Sequence, residues 1–367
     1  MQTSSSLPAV VPIVFLGAIT LITPWVTPKT VRFGVRIPAE RAADAAVRTA
    51  ERGYRLGVVG VTLAALLIAL FVPGKTAARL SGVIVEVVGT FAVYLVARAH
   101  LATAKHEGHW FAGLKQVAVA DTALRTRPGP FPWLWALPAA VIVVGTTVFG
   151  AVRYPHMPDR LAEHYDGSGH PTSYADKTFV SAFGPVGVQI TVVALIVALT
   201  RITTRGKATL DAQDPRAADR QRRFVAVMAR CLLLFAAAIA FTLFLAALET
   251  WNVLGSTGWF PAVMLAPTAL ATVGLVAVAL RLGQGGSRLR FAETADEAEG
   301  AARHGTVNRD DDRLWKAGVF YFNREDPAIW VQKRFGIGWT VNLARPAALA
   351  FLVGVIAVAL LVPILLR

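Results

Sequence analysis

Eight apolar runs of membrane-spanning length recur along the 367 residues, at about 7–26, 56–73, 80–97, 133–150, 179–200, 225–248, 259–282 and 346–366. A bilayer core asks for roughly 17 to 25 apolar residues in helical form, and only backbones that satisfy all their own hydrogen bonds persist in lipid. Strands of a membrane barrel would be shorter and would alternate apolar with polar residues, which these runs do not. The expected fold is therefore an all-α integral membrane protein with eight transmembrane helices. A mean hydropathy of +0.53 over the whole chain excludes a soluble globule.

The formal net charge of +14 raises nucleic acid as a partner, and the placement of the charges argues against it. With eight spans the loops alternate sides. Of the 37 Lys and Arg residues, 31 fall on one side and six on the other. Basic loops stay cytoplasmic, so both termini are expected outside a plasma membrane, together with the segment between the fourth and fifth runs. The first run lacks the basic start of a signal peptide and reads as a retained span. Cys231, the one cysteine, lies inside the sixth run, so no intramolecular disulfide is expected.

Four regions follow from this pattern. Residues 1–127 form an N-terminal three-span region whose internal loop carries Phe33-Gly34-Val35-Arg36-Ile37-Pro38. Residues 128–200 form a two-span unit with an external loop at 154–177, and 201–300 hold two more spans and a flexible linker. Residues 301–367 combine a cytoplasmic aromatic module with the last span. In that module β-rich runs at Val319–Phe322 and Ile329–Val331 flank a turn, and Gly336-Ile337-Gly338 opens another run, so a small β-hairpin-like fold is expected. Its candidate residues are Trp315, Tyr321, Asn323, Asp326, Pro327, Lys333, Arg334, Gly336, Gly338, Trp339 and Asn342. The Lys333-Arg334 pair reads as a topology anchor beside the span, or as a contact for anionic headgroups or a regulator.

The external loop is the most polar stretch between two spans. Pro155, Pro158, Gly167, Gly169 and Pro171 forbid a long helix through it. His156, His164 and His170 sit there among Asp159, Glu163, Asp166 and Asp176. Imidazole and carboxylate are zinc-type ligands, but adjacent residues such as Glu163 and His164 point apart, and no ligand spacing is present. No metal or other cofactor is expected. Turn chemistry accounts for much of the same set, with Asp159 capping a short turn and Tyr165 and Tyr174 at headgroup level. Glu86, alone among valines of the third run, is the intramembrane polar candidate, because a carboxyl in hydrocarbon is costly.

Pro158-Asp159, His164-Tyr165, Gly169-x-Pro171, Tyr174 and Lys177, set between two spans, resemble the short domain of unknown function of SdpI-type bacterial immunity proteins, over about 130–200. The run from Trp315 to Asn342 resembles a small cytoplasmic domain of unknown function that often precedes the last span in bacterial multi-pass proteins of this group. What the resemblance implies is a bacterial plasma-membrane protein related to toxin immunity and signalling, not an enzyme. On that basis the loop residues just named are expected to recognise an external peptide toxin or small ligand. The other partners expected are the lipid bilayer and a cytoplasmic regulator. Two alternatives stay open: a secondary transporter using Glu86, Gln189 and Glu249, and a metal-dependent membrane hydrolase.

Overall fold

The computed structural model describes residues 7–71, 75–117, 120–121, 129–165, 170–204, 208–210, 216–254, 259–289, 306–308 and 310–365. Eight α-helices lie among them: α1 (Leu7–Val26), α2 (Ala45–Phe71), α3 (Lys75–Glu107), α4 (Leu137–Arg153), α5 (Phe179–Thr203), α6 (Ala217–Thr250), α7 (Phe260–Leu282) and α8 (Pro346–Leu365). Six segments built on α2 to α7 are long and apolar enough to cross a membrane. Two more apolar helical stretches, Val10–Val26 and Pro346–Ala357, are shorter among the described residues. By length and composition the chain is a mostly helical, multi-pass membrane-type protein, and large apolar side chains such as Leu63, Leu67, Leu270 and Val273 point outward from its helices.

Short strands form two-stranded ribbons. They pair β1 (Val31–Arg32) with β2 (Val35–Arg36), β3 (Lys115–Val117) with β8 (Thr306–Asn308), and β4 (Ala120–Asp121) with β7 (Ala208–Thr209). They also pair β5 (Arg160–Tyr165) with β6 (Pro171–Asp176), β9 (Trp315–Lys316) with β10 (Phe320–Tyr321), and β11 (Trp330–Gln332) with β12 (Trp339–Val341). The chain divides into two compact units that do not follow the four sequential regions. One comprises Met1–Thr122, Lys207–Arg220 and Gly283–Arg367, and the other Ala123–Gly206 and Gln221–Leu282.

In the first unit α2 and α3 pack along each other and α1 packs on both. Pro24, inside α1, has no N–H to offer the carbonyl of Thr20 one turn earlier. The Tyr54 hydroxyl of α2 donates to that carbonyl at 2.9 Å, so a backbone gap in one helix becomes a tie to the next. The core of this unit continues past the helices into Phe33, Val35 and Ile37, which are buried against Val47, Tyr54, Tyr94 and Leu101.

The second unit holds α4, α5 and α7 and most of α6. Gln189 of α5 is fully buried, and its amide nitrogen donates to Thr146 Oγ1 of α4 at 3.1 Å and to the Ala240 carbonyl of α6 at 2.8 Å. Three helices are thereby tied at one level by a single side chain. Trp251, also fully buried, donates from Nε1 to the Ala182 carbonyl at 2.7 Å. Its ring lies so close to Gly150 that a Cβ there would sit 2.7 Å from a ring carbon.

Candidate functional site

The polar loop of the second unit is a β-hairpin closing onto helix ends. After α4 a short helical turn at Tyr154–His156 brings Met157 inward, and Leu161 of β5 follows it. Both are buried against Ala182, Val186, Leu248 and Trp251. The rest of the ladder is mostly polar, in a ribbon of two strands. Register shifts on either side of His164 mark an irregularity where β5 bends. Thr178 and Ser181 then form a reciprocal cap that starts α5, with Oγ1 of Thr178 accepting from Ser181 N at 3.1 Å and Oγ of Ser181 accepting from Thr178 N at 2.8 Å.

Lys177 latches the base of the hairpin. Its N–H donates to the Asp159 carbonyl at 2.7 Å, and its ammonium donates to the Met157 carbonyl at 3.0 Å and lies 5.7 Å from the centre of the Tyr154 ring. Asp159 is fully exposed and its carboxylate is 3.9 Å from Lys177, so it contributes its carbonyl to the latch and does not cap a turn. Pro158 is partly buried between Met157 and Asp159, and Pro171 opens β6 opposite Tyr165. Arg160, Glu163, His164 and Tyr174 stand exposed. His164 Nδ1 and Ser173 Oγ are 3.0 Å apart, and the Arg160 guanidinium lies 5.8 Å from the Tyr174 ring centre. Tyr165 differs from Tyr174 in turning inward. Burial pushes its phenol up to about 12, with the Glu249 carboxyl adding to the shift and the Thr250 side chain acting against it. Gly169 lies outside the described residues. His156 and His170 are exposed, and among the described residues no three His, Cys, Asp or Glu side chains converge on a point where an ion could be held.

A second polar assembly lies in the first unit, where the Phe33–Pro38 run and the C-terminal module form one structure. Phe33 and Gly34 turn the chain between β1 and β2 with φ of 48° and 69°. Gly34 is required, because a Cβ would lie 2.6 Å from the Gly318 carbonyl of the facing turn. Tyr94 of α3 bridges the two turns, its hydroxyl lying 3.1 Å from the carbonyls of both Phe33 and Ala317. Phe335 packs at a tilt against Phe33 and Tyr94, at 5.9 and 5.0 Å between ring centres.

Beneath these aromatics three carboxylates meet three cations. Arg36 pairs with Asp311 at 3.0 Å, and Lys105 pairs with Asp310 and Asp312 at 2.7 Å each. Arg334 reaches Asp311 at 3.0 Å and Asp312 at 2.5 Å. Lys333 is exposed, whereas the Arg334 side chain is 2% accessible. Burial pushes its guanidinium down, and Asp311 and Asp312 act against that shift. For Asp312 burial favours the neutral acid, but Arg334, Lys105 and the Arg36 N–H together outweigh it and hold the carboxyl below the usual range.

The module closes on Asn342, which is fully buried and fully bonded. Its Oδ1 accepts from Asn323 N at 3.0 Å, and its Nδ2 donates to the carbonyls of Asn323 at 2.8 Å and Asp326 at 3.1 Å. Asp326 accepts from the Tyr321 hydroxyl at 3.0 Å, with Pro327 exposed in the turn that follows. Burial, with Asp326 adding to it, pushes the Tyr321 phenol up to about 12. Trp315 stacks on Tyr321 at 5.0 Å, Trp339 pairs with Gln332 across the β11–β12 ladder, and Gly336 and Gly338 take positive φ between those strands. Sequence reading passed over Tyr94, Arg98, whose guanidinium donates to the Phe33 carbonyl at 3.3 Å, and the Asp310-Asp311-Asp312 triplet. An acidic triplet among loops so rich in Lys and Arg was the available signal for the last of these.

Glu86 is fully buried in the first unit, with Thr62 Oγ1 donating to its Oε1 at 3.1 Å. Gly17 of α1 lies against it, so that a Cβ there would be 3.2 Å from Oε1. The structure places Glu86 in one unit and Gln189 and Glu249 in the other.

Helices of membrane-spanning length, a polar hairpin capping one unit and a knitted aromatic module in the other define a multi-pass membrane-type chain. Two family models match parts of it. Residues 141–190, which contain the hairpin, match a Domain of unknown function (DUF1648), and residues 324–349 match a Family of unknown function (DUF5808). No curated protein and no solved structure matches the chain.

Proposed function

We propose that this chain is a bacterial plasma-membrane protein of the SdpI-related immunity and signalling group, crossing the bilayer eight times with both termini outside. In this reading the 154–177 hairpin is an external recognition surface for a peptide toxin or small ligand, and the Trp315–Asn342 module faces a cytoplasmic regulator. The observation that carries it is the hairpin itself. Its base is latched by Lys177 and anchored by Met157 and Leu161, while Arg160, Glu163, His164 and Tyr174 are left exposed on the ribbon. A pre-ordered surface of charged and aromatic side chains loses little entropy on binding a partner. The lopsided distribution of Lys and Arg supports the placement of this surface outside.

The test is survival of a sensitive bacterium challenged with a panel of secreted killing peptides. The intact chain should protect against at least one, and a His164→Ala/Tyr174→Ala variant at equal membrane level should lose that protection. Protection by neither, or by both alike, contradicts the reading.

A second reading, a proton-coupled secondary transporter, is favoured by Glu86. Its Oε2 is buried without a hydrogen-bond partner, the arrangement of a carboxyl that exchanges a proton or cation. Glu86→Gln should then abolish uptake into proteoliposomes, and uptake that persists in the variant removes this reading.

A further inference from the structure

A cavity of about 620 Å³ opens at the end of the second unit opposite the hairpin, and neither domain match reaches its lining. Helix order brings three chain segments together there. Phe131 and Pro132 precede the helical turn Trp133–Ala136 that leads into α4, Thr204 follows α5, and Arg222, Val225 and Arg230 lie in the N-terminal half of α6. The lining thus combines apolar side chains with two arginines. No acidic side chain is among the described residues that line it.

The rim carries the features of a bilayer interface. Trp133 and Trp135 are 57% and 41% exposed, as aromatic residues at headgroup level are. Arginine guanidinium groups sit against these rings, Arg230 at 5.9 Å from Trp135 and Arg201 at 5.5 and 5.8 Å from Phe131 and Trp133. One turn further along α6 from Arg230, on the same face, Leu234 is exposed, and Leu137 is exposed at the start of α4. A ligand held here would meet arginines at its head and bare apolar helix along its body.

We propose that this pocket binds the headgroup of an anionic phospholipid, with Arg222 and Arg230 on the phosphodiester, Phe131, Pro132 and Val225 against the glycerol and the acyl chains along α4 and α6. The inference rests on the membrane reading of the helices and is independent of what the hairpin recognises. Guanidinium groups bind phosphate oxygens in pairs, and basic pockets between membrane helices are sites for acidic headgroups. A phosphodiester complements the charge of the two arginines in the lining, and its chains cover the apolar rim, which a free phosphate would leave bare.

The test is lipid retention by the purified full chain in mild detergent, read by native mass spectrometry against equimolar phosphatidylglycerol and phosphatidylcholine of the same acyl chains. The chain should retain phosphatidylglycerol in severalfold excess. Arg222→Gln/Arg230→Gln should cut that retention by about tenfold or more, since each basic group near an anionic headgroup is worth about fivefold, and should leave phosphatidylcholine unchanged. Ala226→Trp, which fills the pocket without removing charge, should have the same effect. Arg52→Gln/Arg55→Gln removes equal charge from exposed positions elsewhere and should keep the preference. Equal retention of the two lipids by the unaltered chain, a preference that survives both pocket variants, or equal loss in the remote variant would each overturn the proposal. Displacement of the lipid by millimolar inorganic phosphate would assign the pocket to the free anion instead.

Discussion

The residue with the widest reach is Tyr94, because one hydroxyl serves two turns more than 200 positions apart in the chain. Tyr94→Phe removes the one hydrogen that the carbonyls of Phe33 and Ala317 share and leaves only the Arg98 guanidinium at 3.3 Å for Phe33, so a loss of about 1–3 kcal/mol is expected. It would appear as a lowered thermal midpoint of the detergent-solubilised protein. Arg334→Ala should also lower the midpoint, because it empties a buried site and leaves the half-buried Asp311 and Asp312 with only Arg36 and Lys105 as opposing charge. Asp312 also sets a pH dependence. Its folded carboxyl binds a proton less readily than the unfolded one, so its contribution is complete above the ordinary value near ~4. It is lost as pH falls through the lower folded value. Thermal midpoints measured through that acid range should fall in the unaltered chain, and the fall should be smaller in Asp312→Asn. At this scale sequence reading was least complete. It named Tyr321, Asn323, Asp326 and Asn342 from a local pattern, and it read Arg334 only with its neighbour Lys333, as an anchor or a contact for headgroups or a regulator. No local pattern shows that a distant acidic triplet will fold over a basic side chain.

Elements were more legible, since their signals are local. The apolar runs became helices, and the Pro- and Gly-rich stretch became an ordered hairpin rather than a helix. Several helices extend beyond their apolar runs, as where α2 starts at Ala45 and α3 reaches Glu107, because polar residues with good helix propensity continue a helix that burial has already started. The close approach of α4 to Trp251 gives a direct comparison. Gly150→Leu places a side chain on the ring and should destabilise by about 1–3 kcal/mol. Gly145→Ala, on the same helix but facing open space, should be neutral or stabilising by up to about 1 kcal/mol. Thr178→Ala removes the cap of α5 and should cost about 0.5–2 kcal/mol, read as hydrogen exchange at the hairpin base. A midpoint unchanged in Gly150→Leu would show that the contact carries no weight.

Over the whole molecule, sequence reading followed chain order and the structure does not. Residues at both ends of the chain share the first unit, and the central helices make the second. The reason is physical: Phe33, Val35 and Ile37 are too few to bury themselves, and they find their cover in Tyr94 and Phe335. The proposed recognition role depends on the hairpin facing out and the C-terminal module facing in. Single cysteines at Glu163 and Lys333, introduced in turn into a Cys231→Ser background, put this to a direct test in intact bacteria with a membrane-impermeant maleimide. Labelling at position 163 in whole cells, with labelling at 333 only after the membrane is opened, is the expected result. Labelling at 333 with protection of 163 would invert the topology and contradict an external recognition surface.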